Sequence, residues 1–141
     1  MRILGLDLGS KTVGVAMSDA TGNFAVGVET IFFNSDDYDE ALEKVEKLCL
    51  NLKAEKVVVG LPKHMNGDIG ERGEISQEFA KYLAEDLKIE VILWDERLTT
   101  VSANKILISA DISRKKRKKV VDKVAATFIL QAYLDATLKE R

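Results

Sequence analysis

Four acids in this chain occupy places where a carboxylate needs a reason to be. Asp7 interrupts the apolar run Ile3-Leu4-Gly5-Leu6, Asp95 and Glu96 follow directly on Val91-Ile92-Leu93-Trp94, and Asp122 lies among Val120, Val121, Val124, Ala125 and Ala126. A carboxylate in an apolar segment is costly unless it is paired, hydrogen-bonded or bound to a metal. Each has a plain structural reading: Asp7 can cap a nearby turn, and Asp122, read as lying in the first turn of the last helix, can compensate the dipole there. If the fold instead brings Asp7, Glu96 and Asp122 to one edge, their mutual repulsion calls for a hard divalent cation. Oxygen donors, in a chain with one histidine and one cysteine, favour Mg²⁺ or Mn²⁺ over zinc. Such ions activate water and clamp a phosphodiester, so the chemistry these acids suggest is phosphodiester hydrolysis.

The cations point the same way. Arg114, Lys115, Lys116, Arg117, Lys118 and Lys119 are consecutive, and because the whole chain carries −2, everything outside this run carries −8. Positive charge concentrated in one run on an acidic protein marks a local polyanion contact, expected as an exposed, mobile segment along a phosphate backbone. The bland alternative is a solvated loop or a frayed helix start. Pro62 to Gly73, with its glycines and mixed charges, reads as a mobile loop over the site. Lys63 and Arg72 in it are candidate phosphate contacts, as are Lys11 and Arg97. His64 is read as a solvated loop residue rather than a general base. Trp94, on a buried strand, is read as core, and Thr99 and Thr100 as helix caps.

The elements that must position these groups follow from periodicity. Ile3 to Leu8, Val13 to Ser18 and Ala25 to Phe33 read as strands of an antiparallel meander, separated by the short turns Gly9-Ser10-Lys11 and Thr21-Gly22-Asn23. Ser35 is the expected N-cap of a helix whose apolar face carries Tyr38, Ala41, Leu42, Val45, Leu48, Cys49 and Leu52. Lys56 to Gly60 and Glu90 to Trp94 read as strands buried on both faces, flanking a helix with Ile75, Phe79, Tyr82, Leu83 and Leu87 on one side. Helices about Thr100 to Ala110 and Lys119 to Leu138 close the chain. Right-handed crossovers place the first strand at the centre, the hairpin strands on one side and the later strands on the other. Ligands of such sheets sit beyond the carboxyl ends of the parallel strands. On the first strand Asp7 shares a face with Gly5, whose missing side chain is expected to leave room beside it.

The 141 residues, 46% hydrophobic and 31% charged, describe one globular domain spanning 1–141. Lone Cys49 excludes an internal disulfide, no signal peptide or apolar stretch of membrane length is seen, and a reducing, soluble compartment is expected.

Leu6-Asp7-Leu8-Gly9 with Lys11, Gly14-Val15-Ala16 with Ser18-Asp19, Gly60-Leu61-Pro62 with Met65-Asn66-Gly67, Asp95-Glu96-Arg97-Leu98-Thr99-Thr100, and Asp122 with Ala125-Ala126 resemble, in order and over essentially the whole chain, the YqgF (RuvX) family. The resemblance implies an RNase H-like α/β fold and a cytoplasmic bacterial nuclease. It implies Asp7, Glu96 and Asp122 as catalytic acids and metal ligands, with Asp95 of lower rank. The family carries two functional names, pre-16S rRNA nuclease and Holliday junction resolvase. RNA is the substrate favoured here, with branched DNA second and ribosomal particles as possible partners. Resolving a two-fold symmetric junction needs a dimer, whereas the well-charged helices show no spare apolar stripe, so a monomer is expected. Two further readings compete. Asp7-Leu8-Gly9 followed by Gly14 resembles the first phosphate loop of actin-like ATPases, which close two domains on a nucleotide where this chain supplies one. An RNA- or ribosome-binding module with little turnover is the non-enzymatic alternative.

Overall fold

The computed structural model describes residues 1–63, 66–96 and 114–138, with the backbone alone for 114–123 and 138. Three strands come first, β1 (Ile3–Leu8), β2 (Thr12–Ser18) and β3 (Ala25–Phe32). They are followed by α1 (Tyr38–Leu52), β4 (Lys56–Leu61), α2 (Glu71–Leu87), β5 (Glu90–Asp95) and α3 (Arg114–Leu138). The strands form one mixed sheet in the order β3-β2-β1-β4-β5. β1 pairs antiparallel with β2 and parallel with β4, and β5 adds parallel to β4. This is the sheet expected from the strand–helix–strand units. Among the described residues, no helix is long and apolar enough to cross a membrane.

Side-chain alternation divides β1 between two cores. Leu4, Leu6 and Leu8 pack with Ala41, Val45 and Cys49 of α1 and with Phe79, Ala80 and Leu83 of α2. Ile3 packs on the opposite face with Ala126, Ile129, Leu130, Tyr133 and Leu134 of α3. Gly5 is where that helix comes closest, since a Cβ there would lie 2.7 Å from Leu130 Cβ and 3.0 Å from the Ala126 carbonyl oxygen. The space expected to serve Asp7 is therefore filled by the helix. Tyr133 meets Lys56 at the start of β4, so α3 runs against β1, with its earlier turns toward Asp7.

The strand ends differ from the sequence reading by a residue at most, and the three helix starts differ by more. Asp37, not Ser35, caps α1: its carboxylate accepts from the Glu40 N–H at 3.1 Å. Asp36 before it takes a left-handed conformation (φ 60°) while its N–H donates to the Ser10 carbonyl at 2.8 Å, tying this loop to the β1–β2 turn. The loop after β4 ends earlier than expected, because α2 begins at Glu71 and takes Arg72 and Gly73 into its first turn. A Cβ at Gly73 would lie 2.8 Å from the Pro62 carbonyl oxygen, so loop and helix pack closely there. Finally, α3 begins at Arg114 rather than Lys119. The basic run is helical, and Asp122 stands in the third turn, where dipole compensation no longer accounts for it. The expected helix Thr100 to Ala110 lies outside the described residues.

Candidate metal and nucleic-acid site

Asp7 lies half-buried near the carboxyl end of β1, on the face that carries α3. Its neighbours across the sheet are Gly14 on β2 and then Thr30 on β3. On the other side, β4 presents Gly60, and β5 ends in Trp94 and Asp95 with Glu96 next in the chain. Alternation along β5 puts Val91 and Leu93 toward α1 and α2, and Ile92 and Trp94 toward α3. Glu96 continues the α3 side. Its carboxylate lies directly over Gly60, where a Cβ would overlap Oε2. The glycine is the cradle that lets this acid fold back across the strand end.

Glu96 and Asp7 are joined by a side-chain hydrogen bond. Burial pushes the Glu96 carboxyl up; the bond to Asp7 and the Arg72 charge pull it down, and Asp95 adds a further upward push. Two carboxylates at this distance require a proton or a cation between them. Asp95 belongs by alternation to the opposite face and acts on Glu96 through its charge.

Arg72 stands beneath this pair. Its guanidinium donates to the Leu8 carbonyl at 3.1 Å and to the Tyr38 hydroxyl at 2.7 Å, and it stacks 6.0 Å from the Tyr38 ring centroid. It ties the end of β1 to the starts of α1 and α2, a structural duty that the sequence reading did not foresee. Lys63 is half-buried in a cleft of about 330 Å³ shared with Pro62, Gly70, Glu71, Arg72 and Gly73. Lys11 is exposed in the β1–β2 turn at the same end of the sheet. The expected cations Lys11, Lys63 and Arg72 thus ring the carboxyl end of β1 and β4. Arg97 and His64 lie outside the described residues. Arg114 to Lys118 are placed by backbone only, in the opening turns of α3.

Among the described residues, no group of three acids, histidines or cysteines converges; Asp7 and Glu96 are two, and the side chain of Asp122 lies outside the described residues. Its backbone stands one helical turn before Ala126, the residue whose carbonyl faces Gly5. One turn rises about 5.4 Å and two strand residues about 6.6 Å. That step carries the helix from beside Gly5 to the level of Asp7. Half-buried carboxylate oxygens that meet each other, one of them seated over a glycine, fit a hard divalent cation. Trp94, expected in the core, packs edge-on against Tyr133 with centroids 5.8 Å apart.

A family model described as RuvX, Holliday junction resolvase, matches residues 1–136. The chain belongs to the RuvX family. RuvX relatives are close in sequence. A Bacillus subtilis protein named "Putative pre-16S rRNA nuclease" is 56% identical over 136 residues, 96% of this chain and 99% of the relative. A Bacillus cytotoxicus protein of the same name is 58% identical over the same share. Among solved structures, Thermus thermophilus RuvC in complex with a Holliday junction substrate superposes with TM-score 0.62 at 12% identity, covering 98% of this chain and 96% of that one. Fowlpox virus resolvase with substrate Holliday junction DNA gives 0.59 at 16%, covering 98% and 99%. At these identities the likeness is one of fold, and this RuvX chain has the RNase H-like fold of those resolvases.

Proposed function

We propose that this chain is a nuclease that hydrolyses phosphodiester bonds with Mg²⁺ or Mn²⁺ held by Asp7, Glu96 and Asp122. The observation that carries the reading is the hydrogen-bonded Asp7–Glu96 pair at the carboxyl ends of the parallel strands, with Glu96 folded over Gly60. A divalent ion bound by these acids would supply the chemistry of water activation at neutral pH and of charge neutralisation on the phosphate. The chain's own residues do the rest. Asp7 and Glu96 provide anionic oxygens on a rigid sheet edge, with Asp122 brought level from α3. Arg72 fixes the end of β1 so that Asp7 keeps its place, and its remaining guanidinium N–H groups, with Lys11 and Lys63, face the approach of a phosphate. Arg97 is assigned the same role. The run Arg114 to Lys118 lengthens the phosphate contact away from the acids.

RNA is the substrate we favour, with processing of the 5' end of pre-16S rRNA as the role, because relatives above half identity carry that name along nearly their full length. Asp7→Asn should abolish metal-dependent cleavage of a labelled precursor leader while the protein stays folded. Cleavage at the wild-type rate by that variant would refute the site. One observation favours the second reading, junction resolution. β3 is an edge strand that exposes Val26 (53%) and Phe32 (50%), with Phe24 (63%) just before it, a surface on which two copies can pair. A dimer that nicks a synthetic junction symmetrically and leaves the RNA intact would establish that reading instead.

A further inference from the structure

On the face of the sheet away from α3, the start of α1 and the middle of α2 enclose a pocket of about 150 Å³ lined by Tyr38, Leu42, Ile75, Phe79 and Tyr82 together with Asp39 and Glu78. Small-molecule sites usually measure roughly 300–1,000 Å³, so this pocket has the capacity of one side chain rather than of a ligand. Tyr82 is 45% exposed, a large aromatic surface to leave in water. No lysine or arginine among the described residues lines the pocket. Arg72 lies against the Tyr38 ring but is engaged by the Leu8 carbonyl and the Tyr38 hydroxyl.

We propose that the groove between α1 and α2 docks a lysine- or arginine-bearing segment of a partner protein, with one cationic side chain seated between Tyr38 and Tyr82. Aromatic faces attract a cation, and the carboxylates of Asp39 and Glu78 satisfy its N–H groups. The groove continues the same field away from the pocket. Glu46 on α1 faces Asp86 on α2 beside Glu43, and is pushed up to about 7 by burial first and by these acidic neighbours next. Tyr82 is pushed up by Glu78, Glu85 and Asp39. Such a surface repels a nucleic-acid backbone and selects a basic polypeptide. It leaves the opposite face, where phosphate is expected, free for substrate. The inference goes beyond the nuclease reading and does not depend on it.

The test uses the full chain and a fluorescein-labelled peptide alternating lysine with alanine, followed by anisotropy at low and moderate salt, with a glutamate–alanine peptide as control. The wild type should bind the basic peptide alone. Tyr82→Ala and the double change Asp39→Asn with Glu78→Gln should each weaken binding by about three- to tenfold, while Tyr82→Phe, which keeps the ring, should bind as wild type. The acids at the sheet edge are the other place a cationic peptide can go, so Asp7→Asn is measured beside them and should leave binding unchanged. Circular dichroism confirms that these surface variants fold. Binding that survives both groove changes, or that falls with Asp7→Asn alone, would overturn the proposal.

Discussion

Gly60→Ala tests the candidate site without touching a functional group. The new Cβ would overlap Glu96 Oε2 and lie 2.6 Å from Ile129 Cδ1. Both are ends of side chains, so the backbone can stay, but each must retreat by roughly an ångström to reach ordinary contact. For Ile129 the cost is overpacking, about 1–3 kcal/mol, with the lower half of that range expected because a single methyl is displaced. For Glu96 the cost is geometric. A misplacement of about 1 Å at a reacting centre is worth up to ~10²-fold in rate. We expect a folded protein, a melting temperature lower by a few degrees, and cleavage reduced tenfold or more. A second variant separates the two effects. Adding Ile129→Val removes the methyl that clashes and should restore stability, yet leave Glu96 displaced and cleavage slow. The assay is metal-dependent turnover of a labelled strand beside thermal unfolding of the same samples. If cleavage recovers together with stability in the double variant, the Glu96 carboxylate is not where the chemistry happens.

Three further outcomes are expected. Replacing Arg114 to Lys119 with glutamine should weaken RNA binding and flatten its dependence on salt, by a slope of roughly 0.7 per lost phosphate contact on single strands, measured by titration at several salt concentrations. Glu46, pushed up to about 7 from the ordinary carboxyl value of 4.5, holds its proton more tightly in the folded chain. The stability it contributes is complete below about pH 4.5 and lost as pH rises through 7. Glu46→Gln should flatten that fall in thermal melts between pH 5 and 8 and be the more stable protein at pH 8. Gln131 accepts from the Ala25 N–H at 2.8 Å and donates to the Asn23 carbonyl at 2.9 Å, holding the β2–β3 turn against α3. Gln131→Leu keeps the volume, leaves the exposed Asn23 carbonyl to water and strands the part-buried Ala25 N–H, at about 1 kcal/mol or somewhat more in denaturant unfolding.

The sheet was legible because its signals are short-range. Alternation in β2, the apolar run Val57 to Leu61 of β4, and crossover handedness together fix strand order and the shared edge of Asp7 and Glu96. What escaped depends on contacts far apart in sequence. Nothing near Arg72 announces that its partner is the carbonyl of Leu8, 64 residues away. Gly5 reads as an empty place beside an acid until the closing helix is known to press on it. The cap of α1 fell to Asp37 over Ser35, both good capping types, because Asp36 turns back to bond Ser10. The start of α3 was obscured for another reason. Lysine and arginine are good helix formers, but six together at the positive end of a helix dipole read locally as a chain that should not be helical. The buried half of α3, anchored on the sheet by Leu130 and Leu134, supplies the packing that lets the helix extend back through them.

The two layers of helix have opposite charge. α1 and α2 together hold nine carboxylates against four cations, a net −5, and α3 holds seven cations against two carboxylates, a net +5. The molecule is therefore an electric dipole directed obliquely, from the α1–α2 layer toward the opening turns of α3, where six of its seven cations stand. In the field of a polyanion it feels a torque before it makes any contact. It is turned so that the α3 side leads, and encounters made the wrong way round are rejected by repulsion rather than by poor fit. Capture of a charged strand is then fast and orientation-selective at low ionic strength, and slows as salt shortens the reach of the field to about 10 Å at 0.1 M.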